Sequence, residues 1–482
     1  MKKVLSYVLC LLLICAVFSA CTVKTPGNDS PGNQAQENRS QENLSPGNSS
    51  PVNSSDDSAD GADTEEKVIH LVTDLGKIAE SRNQGSSDES AQIALNQALD
   101  YLGGLPEGYR VEVEVLPTDD AEYESRLTKL KVEIMAGKGP DIYVMNLEDS
   151  SFMEENTERL FPDAHKAMTD GFFLRLDDYV ENAQFMNLSE MNSMVMDAGC
   201  TPEGRFILPM RYSFPFCSVK EEPVGNTDVD WFTGVEGDDP VLARAYAEAI
   251  QPKLHFIFED TIDYETKSLT FSEEELYRAL TDAIAKGTQR GGEWDSNIGT
   301  IRAVLFLPEE DSFWFNPANK EIETYFPMRN REGGVTASIF SYIAVNRNTP
   351  YPEEAFHVVD VMMSKQFQSG ISFWKEERRE DYETQLMYPI AVFSASDGVS
   401  VYDDLMQYDQ PMLYEFYIPD EMFPTYCELR GQITHVKFVN VVDQLMDDVK
   451  YFSWMENMAP GDDLKRYVAE QYRKMTLIVG EM

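Results

Sequence analysis

The residues of this sequence best suited to chemistry are polar side chains at the ends of predicted strands and tryptophans in acidic segments. Carboxylates, amides and arginine can form several hydrogen bonds with hydroxyl or amino groups, and aromatic rings stack on apolar faces. Such a set can hold a small polar molecule without changing it. Each residue also has a structural alternative, because strand-end carboxylates cap helices, an arginine forms ion pairs and tryptophans pack in cores. The candidates are Asp74, Asn146, Glu148, Asp149, Arg211, Tyr212, Trp231 and Trp314.

Motifs for covalent or metal chemistry do not stand out. The sequence has no GxSxG and no HExxH, and its five histidines have no ligand spacing. Acidic pairs such as Glu221–Glu222 and Asp238–Asp239 occur, but such pairs mean little in so acidic a chain. The sequence therefore predicts no metal site, no cofactor and no enzyme activity.

Composition limits the class of protein. The chain has 482 residues, of which 42% are hydrophobic, enough for two domains with well-formed cores. Its formal net charge of -44 argues against nucleic acid as a partner, because phosphate binding needs clustered Lys and Arg. The same charge disfavours polyanionic ligands and anionic membrane surfaces.

The N-terminus has the layout of a secretory signal. Lys2 and Lys3 precede the apolar run VLSYVLCLLLICAVF, which ends in Ser19-Ala20-Cys21. This layout resembles a bacterial lipoprotein signal over residues 1–21, in which Cys21 becomes lipidated; an ordinary cleaved signal with an incidental cysteine is the alternative. Residues 22–66 are nearly all Asn, Ser, Gly, Pro, Gln and acidic residues, a composition that predicts a disordered tether. We therefore expect a protein anchored by lipid to the extracytoplasmic face of the cell membrane.

Few cysteines remain if the signal is removed and Cys21 is lipidated. Cys200, Cys217 and Cys427 are an odd number without CxxC spacing. At most one disulfide is possible, and the sequence does not select its pair.

The globular part opens with alternating strands and helices. KVIHLVTD reads as a buried strand, a helix with Leu95, Leu99 and Leu102 on one face follows, and YRVEVEVLP then alternates with Val111, Val113 and Val115 on one side. A helix with Tyr123 and Leu127 on its inner face follows, and then a strand over 141–147. This order predicts a doubly wound α/β sheet, in which ligands bind outside the carboxyl ends of strands. Asp74 and the run 146–149 follow two such ends.

The stretch EIMAGKGPDIYV makes an abrupt helix-to-strand turn. Gly137 can adopt the left-handed conformation that ends a helix, and Pro140 prevents the helix from resuming. The turn places Asp141 at the foot of the next strand.

The segment RLTKLKVEIMAGKGPDIYV resembles the helix–turn–strand of extracellular solute-binding proteins of ABC importers, especially the carbohydrate-type group that includes maltose-binding proteins. Three further segments follow in the family's order: FFLRLDDYVEN, DAGCTPEGRFILPMRYS, and the strand and helix over 325–363. Together they span most of the chain after the tether.

The resemblance implies a two-lobed α/β fold of the periplasmic-binding-protein type II class, with hinge-crossing strands and a central cleft. Lobe one would comprise 67–209 plus 328–375, and lobe two 213–325 plus 376–482. The chain would cross the hinge near 209–213 and 325–329. Arg211 and Tyr212 would then face the cleft and contribute little to a core.

The implied function is capture of a small solute, most simply a sugar or oligosaccharide, by hinge closure around it. A monomeric, lipid-anchored receptor of this kind delivers its solute to the transmembrane subunits of a permease. Two alternatives stay open at this point: a receptor for peptides or polyamines, which would suit the negative charge, and a secreted glycoside hydrolase with two catalytic carboxylates.

Overall fold

The chain divides into two units, Met1–Asp63 and Thr64–Met482, and the residues described here belong to the second. The computed structural model describes residues 66–74, 95–96, 99, 104–117, 119–146, 159–214, 216–219, 229–230, 254–287, 302–304, 324–364, 428–455 and 458–482. Its strands are β1 (Lys67–Thr73), β2 (Tyr109–Val115), β3 (Ile142–Asn146), β4 (Cys200–Thr201), β5 (Gly204–Arg205), β6 (Ile207–Ser213), β7 (Phe216–Val219), β8 (Val229–Asp230), β9 (Ile262–Asp263), β10 (Ser268–Leu269), β11 (Arg302–Val304), β12 (Thr324–Arg329), β13 (Val335–Val345) and β14 (Ile433–Phe438). Its α-helices are α1 (Asp120–Met135), α2 (Ala164–Thr169), α3 (Asp177–Glu181), α4 (Ser193–Asp197), α5 (Glu273–Gly287), α6 (Pro352–Met362), α7 (Val441–Met455) and α8 (Asp462–Glu481), with short 3-10 turns at Leu188–Glu190 and Leu254–Ile257.

The first half of the large sheet is parallel, as the sequence predicts. β1 pairs in parallel with β2 on one side and with β3 on the other. The valines that alternate along β2 are all buried, and the apolar face of α1 packs into the same core through Tyr123, Leu127 and Leu130. Period-two and period-3.6 patterns in the sequence therefore predict this part of the core correctly.

The turn after α1 is a Schellman motif around Gly137. The amide of Lys138 donates to the carbonyl of Glu133 and the amide of Gly137 to that of Ile134, both at 2.9 Å. Gly137 has a φ of 71°, which confirms the predicted left-handed conformation. The Asp141 carboxylate is buried beyond the turn, where it accepts from the His70 amide at 2.8 Å and the Thr349 hydroxyl at 2.5 Å. Asp141 is thus a structural carboxylate that fixes the start of β3.

Strand β13 is the longest strand of the described chain and pairs with three others. Residues 335–339 pair in parallel with β14, and residues 341–345 pair antiparallel with β3 on the same edge. Residues 338–344 pair antiparallel with β6 on the opposite edge. The six strands therefore form one mixed sheet in which β13 joins the parallel half to β14.

A second core lies around α5, α7, α8 and the 3-10 turn at Leu254–Ile257. The predicted capping box begins α5: the Glu275 carboxylate accepts from the Ser272 amide at 2.8 Å, and the Ser272 hydroxyl accepts from the Glu275 amide at 3.2 Å. The predicted C-terminal helix is α8, which buries Leu464 and Val468 in this core. Two apolar cores and mixed α/β elements agree with the predicted fold class.

The chain passes from one of its two larger sheets to the other after β6 and returns after β12, while the hinge crossings near 209–213 and 325–329 stay a prediction. β6 belongs to the six-stranded sheet and β7 to a four-stranded sheet ordered β11-β7-β12-β8, while β12 and β13 lead back. The first core also contains Leu429, Ile433 and Phe438, from a segment that the sequence assigned to lobe two. The lobe boundaries themselves stay a prediction.

Replacing Gly137 by Val should lower the free energy of unfolding by about 1 kcal/mol or more, since a β-branched residue resists a φ of 71°. A Cβ at this position would lie 3.7 Å from the Asn348 side chain, an ordinary contact distance. The loss of stability therefore comes from backbone strain and not from a steric clash. Urea denaturation measures the change. Gly480→Ala is the control, because a Cβ at this position of α8 has open space. A Gly137→Val protein as stable as wild type would contradict the assignment.

Candidate functional site

Charged and polar side chains from both cores meet beside β13, and we call this set the polar layer. Its members come from the end of β1, the segment around α2, the turn before β10, and the strands and helix that follow β12. They are Asp74, Arg159, Asp163, His165, Asp260, Tyr264, Tyr342, His435, Lys437 and Asp443.

Asp74 follows β1 at its carboxyl end and is only 5% exposed. The Tyr342 ring on β13 is fully buried, and its burial, reinforced by the negative charge of Asp74, holds the pKa of its hydroxyl well above the usual value while Arg159 opposes the shift. The Tyr342 hydroxyl has no hydrogen-bond partner among the described residues. Since a buried hydroxyl without a partner costs free energy, this position suits a bound polar group.

Arg159 connects the first core to helix α7 of the second. Its guanidinium is nearly buried, and with the Gln444 amide oriented so that its oxygen faces Arg159, that oxygen accepts from Nη1 at 2.9 Å and from Nη2 at 3.1 Å. Arginine donates several hydrogen bonds in a fixed plane. Arg159 can therefore serve both the second core and a polar group beside Tyr342.

Asp163, His165 and Tyr264 form the second connection. The Tyr264 hydroxyl donates to Asp163 Oδ2 at 2.8 Å, and its ring stacks on His165 with the ring centroids 4.0 Å apart. Burial raises the pKa of Asp163, although its hydrogen bonds from the Lys166 amide and Tyr264 oppose this. Burial lowers the pKa of His165, while the carboxylates of Asp163 and Asp260 act in the opposite direction.

A buried ion pair within the layer joins β14 to helix α7. Lys437 Nζ lies 2.8 Å from Asp443 Oδ1 and also donates to the carbonyl of His255 at 3.0 Å. The Thr261 hydroxyl donates to the same Asp443 oxygen at 2.9 Å. Because both charges are paired and hydrogen-bonded, they can be kept in an otherwise apolar region.

Ser338, His255 and Asp447 stand in the order of a hydrolase triad. His255 Nδ1 lies 2.8 Å from Asp447 Oδ2, and Nε2 lies 3.3 Å from Ser338 Oγ. The three residues are 0%, 1% and 8% exposed, so the group is buried between β13 and helix α7. In this structure the chain of hydrogen bonds ties β13 to α7.

The structure brings one predicted site residue, Asp74, into the polar layer. Asn146 ends β3 and Arg211 lies on β6, but their side chains are outside the description. Tyr212 is fully buried in the first core. The expectation that its ring contributes little to a core is therefore wrong, and replacing Tyr212 by Ala would confuse lost binding with lost folding. The remaining predicted residues lie outside the described chain: Cys21, Glu148, Asp149, Trp231 and Trp314.

Most members of the polar layer were not predicted from the sequence. The signal available for them is a charged or polar residue inside an apolar run, as with Tyr342 in IFSYIAV, Lys437 in THVKFV and Asp443 in NVVDQLM. Such residues are costly in a core unless they have partners or a function.

Other candidate sites in the described chain are limited. A surface cavity of about 560 Å³ lies at edge strand β2, lined by residues such as Asn96, Tyr109 and Glu112 and by no predicted site residue. The described residues include no cluster of three or more His, Cys, Asp or Glu side chains that could hold a metal. Within the same residues, no helix combines the length and apolar character needed to cross a bilayer.

No protein-family model and no curated protein matches this sequence. Solved structures do match it. An extracellular solute-binding protein family 1 from Alicyclobacillus acidocaldarius has 13% identity and a TM-score of 0.45, over 86% of this chain and 98% of that one. A periplasmic oligogalacturonide binding protein from Yersinia enterocolitica has 12% identity and a TM-score of 0.48, over 86% and 99%. The sugar-binding protein MalE from Xanthomonas citri has 11% identity and a TM-score of 0.49, over 86% and 98%. At such identities the likeness concerns the overall fold alone.

The burial of His165 predicts a pH dependence of stability. An unfolded histidine titrates near pH 6.5, and the folded pKa is lower. The neutral ring's contribution is therefore fully present above pH 6.5 and is lost as the pH falls through the lowered folded pKa. Between pH 7.5 and 5.5, the melting temperature of His165→Gln should fall less than that of wild type.

His70→Gln on β1 is the matched control, because the His70 side chain is 57% exposed. Equal falls in melting temperature for wild type and His165→Gln would show that protonation of His165 does not lower the free energy of unfolding.

Proposed function

We propose that this chain is a receptor that binds a small extracellular solute between its two cores and delivers it to the membrane subunits of an ABC permease. The observation that carries the proposal is that Asp74 and Arg159 are nearly buried and lie close enough to the buried Tyr342 hydroxyl for their charges to act on it. Asp74 follows the carboxyl end of a parallel strand, the position where open α/β sheets bind ligands. The resemblance of four sequence segments to solute-binding proteins supports the same reading.

A sugar or oligosaccharide is the solute class that best suits these side chains. A carboxylate, a guanidinium and a phenol hydroxyl together accept and donate hydrogen bonds, as the hydroxyls of a sugar require. The aromatic platforms would come from Trp231 and Trp314, the candidates from the sequence. The hydrogen-bonding groups act on the solute without breaking a covalent bond.

Closure of the two cores around the solute is the proposed mechanism. A solute that contacts both cores favours the arrangement in which both contacts are made, by its difference in affinity for the two arrangements. The segments near residues 209–213 and 325–329 would act as the hinge. The closed form would be the one that the permease recognises, and the receptor would act as a monomer.

We further propose that Cys21 carries lipid and holds the protein at the extracytoplasmic face of the cell membrane. The charged start, the apolar run and Ser19-Ala20-Cys21 support this placement. Residues 22–66 would then be the tether between lipid and receptor.

A receptor for cationic peptides or polyamines is the second candidate. The carboxylates of Asp163, Asp260 and Asp443 lie within the polar layer, and the whole chain carries a net charge of -44. A positively charged solute would be attracted to such a site.

Calorimetry with oligosaccharides and, separately, with polyamines and basic peptides tests both candidates. For the solute that binds, Asp74→Asn should weaken affinity by about tenfold or more, because a hydrogen bond to a charged group is lost. Asp141→Asn is the matched control, since that carboxylate is equally buried but serves only the fold. It should lower stability and leave affinity unchanged.

Binding of no tested solute, or equal affinity in wild type and Asp74→Asn, would contradict the proposed site. Incubation of the protein with glycans serves as the third arm. Release of reducing sugar would show that the protein is a glycoside hydrolase and would contradict the receptor function.

Lipid attachment has its own test. Cys21→Ala should abolish labelling by a radioactive or clickable fatty acid and leave the protein unprocessed or released from membranes. Cys200→Ala, a free thiol in the globular part, should retain the label. Labelling that persists in Cys21→Ala would exclude this cysteine as the anchor.

A further inference from the structure

Asp74 and Tyr342 lie on one face of the large sheet, on either side of Met145. β1 and β3 pair in parallel with Thr73 beside Val144, so Asp74, the next residue, comes level with Met145. β3 and β13 pair antiparallel with Met145 beside Tyr342. Residues at the same level of adjacent strands point to the same side of a sheet. The effect of the Asp74 charge on the Tyr342 hydroxyl agrees with this placement.

The buried part of the polar layer carries more negative than positive charge. Five of its charged residues are each no more than 7% exposed: the carboxylates of Asp74, Asp163 and Asp443, and the cations of Arg159 and Lys437. Lys437 pairs with Asp443 at 2.8 Å. Three negative charges and two positive charges therefore leave a formal excess of one negative charge among these five residues.

The histidines of the layer do not cancel this excess. Burial lowers the pKa of His165, which keeps its ring neutral near pH 7. His435 Nε2 lies 3.1 Å from Asp260 Oδ1, where the two side chains are 26% and 57% exposed. A positive charge on His435 would therefore be matched by Asp260 and screened by water.

The contacts of Asp163 suit its ionised form. Its Oδ1 accepts from the Lys166 amide at 2.7 Å, and its Oδ2 accepts from the Tyr264 hydroxyl at 2.8 Å. Burial raises the pKa of Asp163, and these two hydrogen bonds oppose the rise. Because an excess charge is unfavourable in a buried region, the layer would gain stability from one added positive charge.

The Tyr342 hydroxyl marks where a group of the solute can bind. It is fully buried and has no hydrogen-bond partner among the described residues. An ammonium group donates three hydrogen bonds, so it can satisfy Asp74 and the Tyr342 oxygen together and also offset the excess charge. A neutral hydroxyl could form the same hydrogen bonds but would leave that charge unmatched.

We propose that the solute is an amino sugar, free or within an oligosaccharide, and that its protonated amino group binds between Asp74 and the Tyr342 hydroxyl. The proposal rests on the proposed function, since it names the solute of that receptor site. Arg159 favours a sugar over a polyamine, because its guanidinium donates hydrogen bonds to hydroxyls and repels a second ammonium group.

Calorimetry with matched pairs of sugars tests the proposal. The pairs are glucose and glucosamine, galactose and galactosamine, and cellotriose and the glucosamine trimer of the same linkage, so each pair differs by amino groups in place of hydroxyls. At about pH 6.5, an amine with a pKa near that of an α-amino group, about 7.7–8.0, is mostly protonated. Wild type should bind the amino member of a pair about tenfold more tightly, because its hydrogen bond to Asp74 joins two charged groups.

Asp74→Asn should remove most of this preference, to about threefold or less, since the carboxylate that pairs with the ammonium group is gone. Asp141→Asn is the control and should keep the full preference, because that carboxylate serves only the fold. If Asp74→Asn does not fold, as judged by circular dichroism, Tyr342→Phe takes its place. It keeps the buried ring and should also bind the amino sugar less tightly than wild type does.

The outcomes separate this proposal from the receptor function. A neutral sugar that wild type binds as tightly as its amino counterpart would overturn the amino-sugar assignment and leave the receptor function intact. A preference that is equal in wild type and Asp74→Asn, or unchanged amino-sugar affinity in Tyr342→Phe, would overturn the proposed position of the amino group. Spermidine bound more tightly than every amino sugar would overturn the assignment to a sugar. If no sugar and no polyamine binds, the receptor function falls and the amino-sugar assignment falls with it.

Discussion

The structure depends on one strand that both cores must share. β13 pairs with β3 and β14 on one edge and with β6 on the other, so it completes the sheet of the first core. At its start, Ala337 and Ile339 enter the first core, while Ser338 faces His255 of the second. A shared strand can bend or twist but cannot slide, because a slip of one residue would exchange the two faces. Any movement between the cores must therefore keep the register of this strand.

The polar layer keeps two apolar cores that pack around one strand from merging into a single core. A wholly apolar contact would join them into a single core that water could not enter. Here Lys437 pairs with Asp443 and His255 with Asp447, each within 2.8 Å. Paired buried charges add little net stability relative to apolar residues, but an unpaired charge is strongly unfavourable. Such contacts specify how the two cores meet.

Local patterns in the sequence predict the elements that short-range physics determines. The parallel strands β1, β2 and β3, the Gly137 turn and the capping box at Ser272 all follow from periodicity and backbone chemistry. The pairing of β14 with β13 joins residues about a hundred positions apart, which no local pattern encodes. The burial of Tyr212 is predictable from the sequence, because alternation along β6 places it on the same side as the buried Leu208 and Met210. Arg159 and Tyr264 became visible only when the fold brought two distant segments together.

The place of β13 in the chain also governs how the protein can be made. β3 ends at Asn146, yet the strand that covers its edge begins at Val335, so almost 200 residues must emerge before that edge is paired. Contacts between such distant residues slow folding, and an uncovered sheet edge invites pairing with other chains. A polypeptide that is exported before it folds avoids part of this hazard, since no half-finished sheet forms inside the cell. The proposed secretory start of this chain would therefore also protect the slow assembly of its sheet.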